Sequence, residues 1–185
     1  MKSRLLIMVL FLGLGAVLVG WIYESQTDFR LDRSELKIPD NIDYFMTNFN
    51  YKVMDEAGKL DYEFASPRLE HHNLGDISRI EQPFVQLYRG SDHWQIDSRQ
   101  GEFQHADNLL WLSQQVVMQR LGENPLQVYG ESIRFSPDRD LLVSDSAILM
   151  QSANSQIEAE QAVFDLSTKV YSLEKARAVY THGKS

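Results

Sequence analysis

A unit of strand, polar turn and strand recurs along the second half of this chain, and no other feature narrows the possible folds so far. Residues 94–103, the turn His105-Ala106-Asp107-Asn108 and residues 109–118 can be laid on residues 126–135, the turn Ser136-Pro137-Asp138-Arg139-Asp140 and residues 141–150 with a shift of 32. Ile96 then falls on Val128, Phe103 on Phe135 and Leu110 on Leu142. A weaker third copy follows at a shift of 29, placing Ile157, Phe164 and Val170 in the corresponding positions around the turn Asp165-Leu166-Ser167-Thr168-Lys169. Repetition at about 30 residues means that successive hairpins stack, because a lone hairpin is marginally stable at best and buries its apolar face only against neighbours. Residues 158–166 and 174–180 are rich in Ala, Glu and Lys, which favour helix. Register with the two earlier copies favours strand.

The segment before the repeats carries the same signal. Phe45, Phe49, Tyr51 and Val53 share one parity against Asn48, Asn50 and Lys52, the alternation of a half-buried strand. The turn Asp55-Glu56-Ala57-Gly58-Lys59 leads into Leu60, Tyr62 and Phe64, which alternate with Asp61 and Glu63, so a hairpin is expected. A further run over residues 77–88 contains Pro83, which cannot donate to a ladder and marks an edge, a bulge or a strand start. The expected fold is all-β, an elongated antiparallel jelly roll or open two-sheet sandwich over residues 42–185, apolar inside and polar outside. Such a stack exposes unpaired backbone groups at both ends, which makes each end a docking site for another strand.

Residues 5–23, LLIMVLFLGLGAVLVGWIY, carry no charge. A helix of that length reaches about 28 Å, close to the hydrocarbon thickness of a bilayer. Lys2 and Arg4 precede the run and Glu24 and Asp28 follow it, so residues 1–4 are expected to be a cytoplasmic tail, with everything beyond Tyr23 exported. A cleaved signal peptide is the competing reading, but its cleavage site at Gly13 or Gly15 would fall inside the apolar run. Gly13, Ala16 and Gly20 would form one face of small residues on the helix, a surface against which another membrane helix can pack. Residues 24–41 show no sustained period and read as a tether.

All 26 acidic residues lie beyond the anchor together with 16 of the 18 basic ones, so the exported part carries a net charge of −10 and repels nucleic acid. The chain has no cysteine and hence no disulfide framework or thiolate metal site. His71, His72, His93, His105 and His182 are scattered without ligand spacing, so no metal is expected. No nucleophile motif or phosphate-cradling loop occurs, and neither a catalytic residue nor a cofactor is assigned. What remains is the apolar interior. Phe45, Phe49, Tyr51, Tyr62, Phe64, Trp94, Ile96, Phe103, Leu110, Leu112, Val116, Met118, Val128, Ile133 and Phe135 are the expected inward positions. Each is plain core unless the two sheets part enough to leave a groove.

In its order of parts and in the segments Asp55-Glu56-Ala57-Gly58, Gln82-Pro83-Phe84-Val85, Asp107-Asn108-Leu109-Leu110-Trp111-Leu112 and Leu142-Val143-Ser144-Asp145, the whole chain resembles the LptC family of lipopolysaccharide export proteins. The resemblance implies a single-pass protein of the Gram-negative inner membrane. Its periplasmic jelly roll would receive lipopolysaccharide from an ABC transporter and hand it to a soluble jelly-roll partner. Apart from Trp94, the inward positions named above would then be lipid-binding, with acyl chains between the sheets. The small-residue face at Gly13, Ala16 and Gly20 would meet the transporter's helices. Gly58 matches a glycine of the family's first turn, and the C-terminal edge, with Val170, Leu173 and Val179, would pair with the soluble partner. A tethered adaptor with a filled core and two sticky edges is the alternative from another class, and an exported enzyme on a sandwich scaffold is a third.

Overall fold

Alternating apolar residues and turn clusters fold residues 41–180, which a computed structural model of the protein describes, into fourteen antiparallel strands. The expected tail, the membrane run with Gly13, Ala16 and Gly20, and all but the last residue of the tether lie outside the described residues.

The first hairpin is β1 (Ile42–Met54) with β2 (Leu60–His72), paired from Ile42 opposite His72 to Met54 opposite Leu60 with a register shift near each end. Its turn holds together through Asp55, whose Oδ1 accepts from the backbone N–H of Ala57 and Lys59 at 2.9 and 2.8 Å. Gly58 sits there at φ +75°, a left-handed conformation that a side chain resists. The run over residues 77–88 is two strands, β3 (Ile77–Glu81) and β4 (Phe84–Arg89), broken at Gln82-Pro83 where the ring removes a ladder donor. Then come β5 (Asp92–Asp97), β6 (Gln100–Gln104), β7 (Leu109–Leu121) and β8 (Leu126–Ser136). A turn of 3-10 helix at Pro137–Arg139 leads to β9 (Leu141–Ser144), β10 (Ile148–Ser152), β11 (Ser155–Ala159), β12 (Gln161–Asp165), β13 (Val170–Glu174) and β14 (Arg177–Tyr180). The third repeat is thus strand despite its helix-favouring composition, because pairing with neighbours outweighs intrinsic propensity.

The pairings resolve into two ladders that share the long strands. One runs from the C-terminal half of β2 through β3, β6, the first half of β7, the end of β8, β9 and β12 to β13. The other runs from the N-terminal half of β2 through β4, β5, the second half of β7, the start of β8, β10 and β11 to β14. Each arm of the sequence repeat therefore crosses a corner and supplies one strand to each sheet. β1 borders both ladders at one end of the stack, and β13 and β14 end them at the other.

Three of the corners share a buried serine. Ser66 Oγ lies 2.8 Å from the carbonyl of Arg68 and 2.5 Å from that of Glu81. Ser98 Oγ donates to the Gln100 carbonyl at 2.8 Å. Ser144 Oγ lies 2.9 Å from both the Ser146 and Ser132 carbonyls. Each hydroxyl offers its one hydrogen to a carbonyl at the bend. Ser144→Val, at a position 1% exposed, should cost about 1–3 kcal/mol in urea unfolding because a buried acceptor loses its donor. A loss indistinguishable from zero would show that the corner bond carries no stability.

Between the sheets Trp94, Phe164, Leu87, Ile96, Leu112, Met118, Ile133, Leu142 and Val128 are essentially sealed from solvent. The Trp94 ring of β5 meets the Tyr171 ring of β13 edge-on at 6.1 Å, and Arg120 lies over both. Arg89, its side chain largely buried, ties the two ladders together, donating to Asp140 at 2.6 Å and Asp61 at 2.5 Å.

Candidate functional site, an apolar trough at the β1 end

Near β1 the sheets part and leave a trough of about 550 Å³. That lies within the roughly 300–1,000 Å³ typical of ligand pockets. Its walls are Tyr44, Met46, Phe49 and Tyr51 from β1 and Tyr62, Phe64 and Leu69 from β2. Ile80 and Val85 add to them from β3 and β4, with Phe103, Leu110 and Phe135 from β6, β7 and β8. Asn50, Ser78, His105 and Asn108 add polar groups, so a hydrocarbon-lined space carries several hydrogen-bonding groups in its lining.

Strand alternation turns these side chains toward the trough, and a flip of parity at each corner selects which ones. On β1 the residues that border the trough are Tyr44 and Met46, then Phe49 and Tyr51, with Asn48 at φ +48° between the two pairs; all but Phe49 are also exposed to solvent, as residues at a rim are. On β2 the same flip falls at Ser66, after Tyr62 and Phe64 and before Leu69. The Phe49 and Phe64 rings meet tilted at 5.5 Å. Burial, with help from the nearby Tyr51 and Asp61, raises the Tyr62 hydroxyl above its ordinary value, so this wall stays neutral at physiological pH. Glu63, facing away, is held below the usual carboxylate range chiefly by the hydrogen bond Asn50 donates to it at 2.5 Å.

The residues expected inside divide into three groups. Phe49, Tyr51, Tyr62, Phe64, Phe103, Leu110 and Phe135 line the trough. Ile96, Leu112, Val116, Met118, Val128 and Ile133, with Trp94, do not line the trough and are packed into the core, where 0–1% of their surface is exposed. Phe45 does not border the trough: it lies under the Arg68 guanidinium at 5.6 Å, on the other parity of β1 before Asn48. Sequence alternation missed Tyr44, Met46, Leu69, Ile80 and Val85. The first three lie before or after a corner that reverses parity, and Ile80 and Val85 flank Pro83, where the run breaks into two strands.

Of the expected partner-binding residues, Gly58 projects in the β1–β2 turn with nothing near its Cα that a side chain would meet. Val170, Leu173 and Val179 lie on the edge strands β13 and β14, with Val170 and Val179 more than half exposed. Among the described residues both strands keep their outer backbone edge unpaired.

A family model described as lipopolysaccharide-assembly, LptC-related, matches residues 7–181. Among solved structures, the chain is similar to that of LptH from Pseudomonas aeruginosa, described as the LptA-homologous periplasmic component of a lipopolysaccharide transport device. The likeness has a TM-score of 0.53 and 10% identity, covers 65% of this chain and 95% of that one, and so speaks to the fold. No curated protein matches the chain in sequence.

Proposed function

The chain belongs to the LptC-related family of lipopolysaccharide-assembly proteins, and from that premise we propose that its jelly roll carries lipopolysaccharide by lodging acyl chains in the trough at the β1 end. The chain is a transport component and not an enzyme. In this reading residues 5–23 anchor it in the inner membrane with the N-terminus cytoplasmic, and residues 24–41 tether the jelly roll in the periplasm. The ABC transporter of the pathway supplies lipid at the β1 end, with Gly13, Ala16 and Gly20 packed on its membrane helices and the first hairpin, with Gly58, on its periplasmic side. The soluble periplasmic jelly-roll partner receives lipid at the β13 and β14 edges by strand addition, with Val170, Leu173 and Val179 at the joint.

The observation that carries this is the trough itself, apolar within and open at the bordering strand. Each methylene transferred from water into it contributes roughly 0.8 kcal/mol, so acyl chains need no catalytic group to be held. Movement draws its energy from the transporter, since this chain carries no nucleotide motif. Passage onward requires the sheets to part around Ile96, Leu112, Val116, Met118, Val128 and Ile133, which would then become lipid contacts in turn. That sealed stretch favours a second reading, an adaptor that joins its partners edge to edge while lipid goes elsewhere.

Photoreactive residues at Phe103 and Phe135 in the full chain, with transporter and lipopolysaccharide present, separate the two. Lipid crosslinked from both positions, and not from Phe45, is the expected result. Capture of protein alone from all three would leave only the adaptor.

A further inference from the structure

Side chains from four separate stretches converge at the rim of the trough: Asp43 on β1, His71 on β2, Asp76 in the β2–β3 turn and His105 in the β6–β7 turn. One ring nitrogen of each histidine and a carboxylate oxygen of Asp76 lie within 4.8 Å of one another. His71 Nε2 is 3.7 Å from Asp76 Oδ1 and 3.9 Å from Asp43 Oδ2. We propose that this cluster binds a divalent transition-metal ion of the zinc type, with His71, His105 and Asp76 as ligands and Asp43 or water completing the set.

The geometry points to an ion because the donors converge without bonding one another. His71 is buried, yet neither carboxylate comes within hydrogen-bond distance of its Nε2. A tetrahedral zinc ion with bonds of about 2.0–2.2 Å holds its donors about 3.4 Å apart, so a contraction of a few tenths of an ångström closes the His71 contacts around one. The support behind the ligands is already built. Ser78 Oγ lies 3.3 Å from His71 Nδ1, which leaves Nε2 to face the carboxylates, and 2.9 Å from His105 Nε2. Tyr44 stacks on the His71 ring at 4.6 Å, and His105 meets that ring edge-on at 5.0 Å. The partner that a metal-binding histidine holds with its other ring nitrogen is most often a carboxylate, a carbonyl or water, and here the Ser78 hydroxyl takes that place for His71. Two imidazoles with carboxylate suit zinc, whereas calcium and magnesium prefer all-oxygen sets.

Histidines 34 residues apart in sequence show no ligand spacing, which is why the cluster was invisible there. It forms because His71 pairs with Ser78 in one ladder and Ser78 with Phe103 in the next, bringing the following turn alongside. An ion would tie the outermost strand, through Asp43, to three neighbours and so fix the mouth of the trough. The inference stands independently of what the trough carries.

The test is calorimetric titration of Zn²⁺ into chelator-treated full-length protein in detergent, with Co²⁺ absorption as a report on ligand geometry. One ion per chain is expected, with a tetrahedral Co²⁺ spectrum. His105→Gln and Asp76→Asn, both at exposed positions that leave folding intact, should each weaken binding at least about 10-fold. His93→Gln and His182→Gln should not. Absence of binding, or binding that survives both ligand variants, or binding lost in His182→Gln, overturns the proposal.

Discussion

Phe64→Glu will weaken lipopolysaccharide binding by at least about 100-fold, and Phe45→Glu will leave it near the wild-type value. Phe64 stands on the trough wall beside Phe49, while Phe45 lies outside it beneath Arg68. Removing a large apolar contact loses roughly 1.5–3 kcal/mol. An ionised carboxylate covered by a hydrocarbon tail adds a desolvation cost of several kcal/mol. About 2.8 kcal/mol corresponds to a factor of 100, so the estimate is a lower bound. Phe64 on the trough wall is partly exposed and Phe45 outside it is exposed, so each tolerates a carboxylate without unfolding, which a thermal melt of each variant verifies. Equal binding by the two variants would show that the trough is not where the lipid lies, and the adaptor reading would replace the conduit.

Trp94→Ala will produce the largest loss of stability, about 3–5 kcal/mol, through the cavity left in a core that cannot collapse on it. The ring is 1% exposed and is held edge-on by Tyr171 and from above by Arg120, whose guanidinium also donates to the Tyr171 hydroxyl at 3.1 Å. Against a typical domain stability of roughly 5–15 kcal/mol this is a large fraction, and it should appear as a lowered urea midpoint with an unchanged slope. Lipid affinity measured below the melting transition should stay within about threefold, because Trp94 does not line the trough. A cost under about 1 kcal/mol would mean that the sheets are already loose at this point.

The two predictions fall on different parts of one interior, and that division was only half legible in the sequence. The repeat made Phe103 equivalent to Phe135 and Leu110 equivalent to Leu142, and all four pack into the core or against it. It did so because stacked hairpins must repeat their apolar faces. Nothing in the alternation distinguishes Phe64, which borders the trough, from Met118, which is sealed. Both are apolar residues of alternating strands, and the difference lies in how far the facing sheet stands away.

Phe45 shows the other limit. Alternation is a rule along one strand in one sheet, and β1 borders two sheets with Asn48 between them in a left-handed conformation. Counting parity through that residue turns Phe45 toward the trough and Tyr44 and Met46 away from it, whereas Tyr44 and Met46 are the ones that border it. Asparagine tolerates that conformation better than most residues, so the letter was permissive but not compelling.

By itself, then, the sequence determined an all-β stack of antiparallel hairpins with apolar insides, because period and turn chemistry act between residues a few positions apart. Tertiary structure alone decided where the strands bend from one sheet into the other, where the sheets part into a trough, and that His71 and His105 meet at its rim. Those outcomes depend on the spacing of whole ladders and on residues tens of positions apart, and no local pattern encodes a distance between two faces.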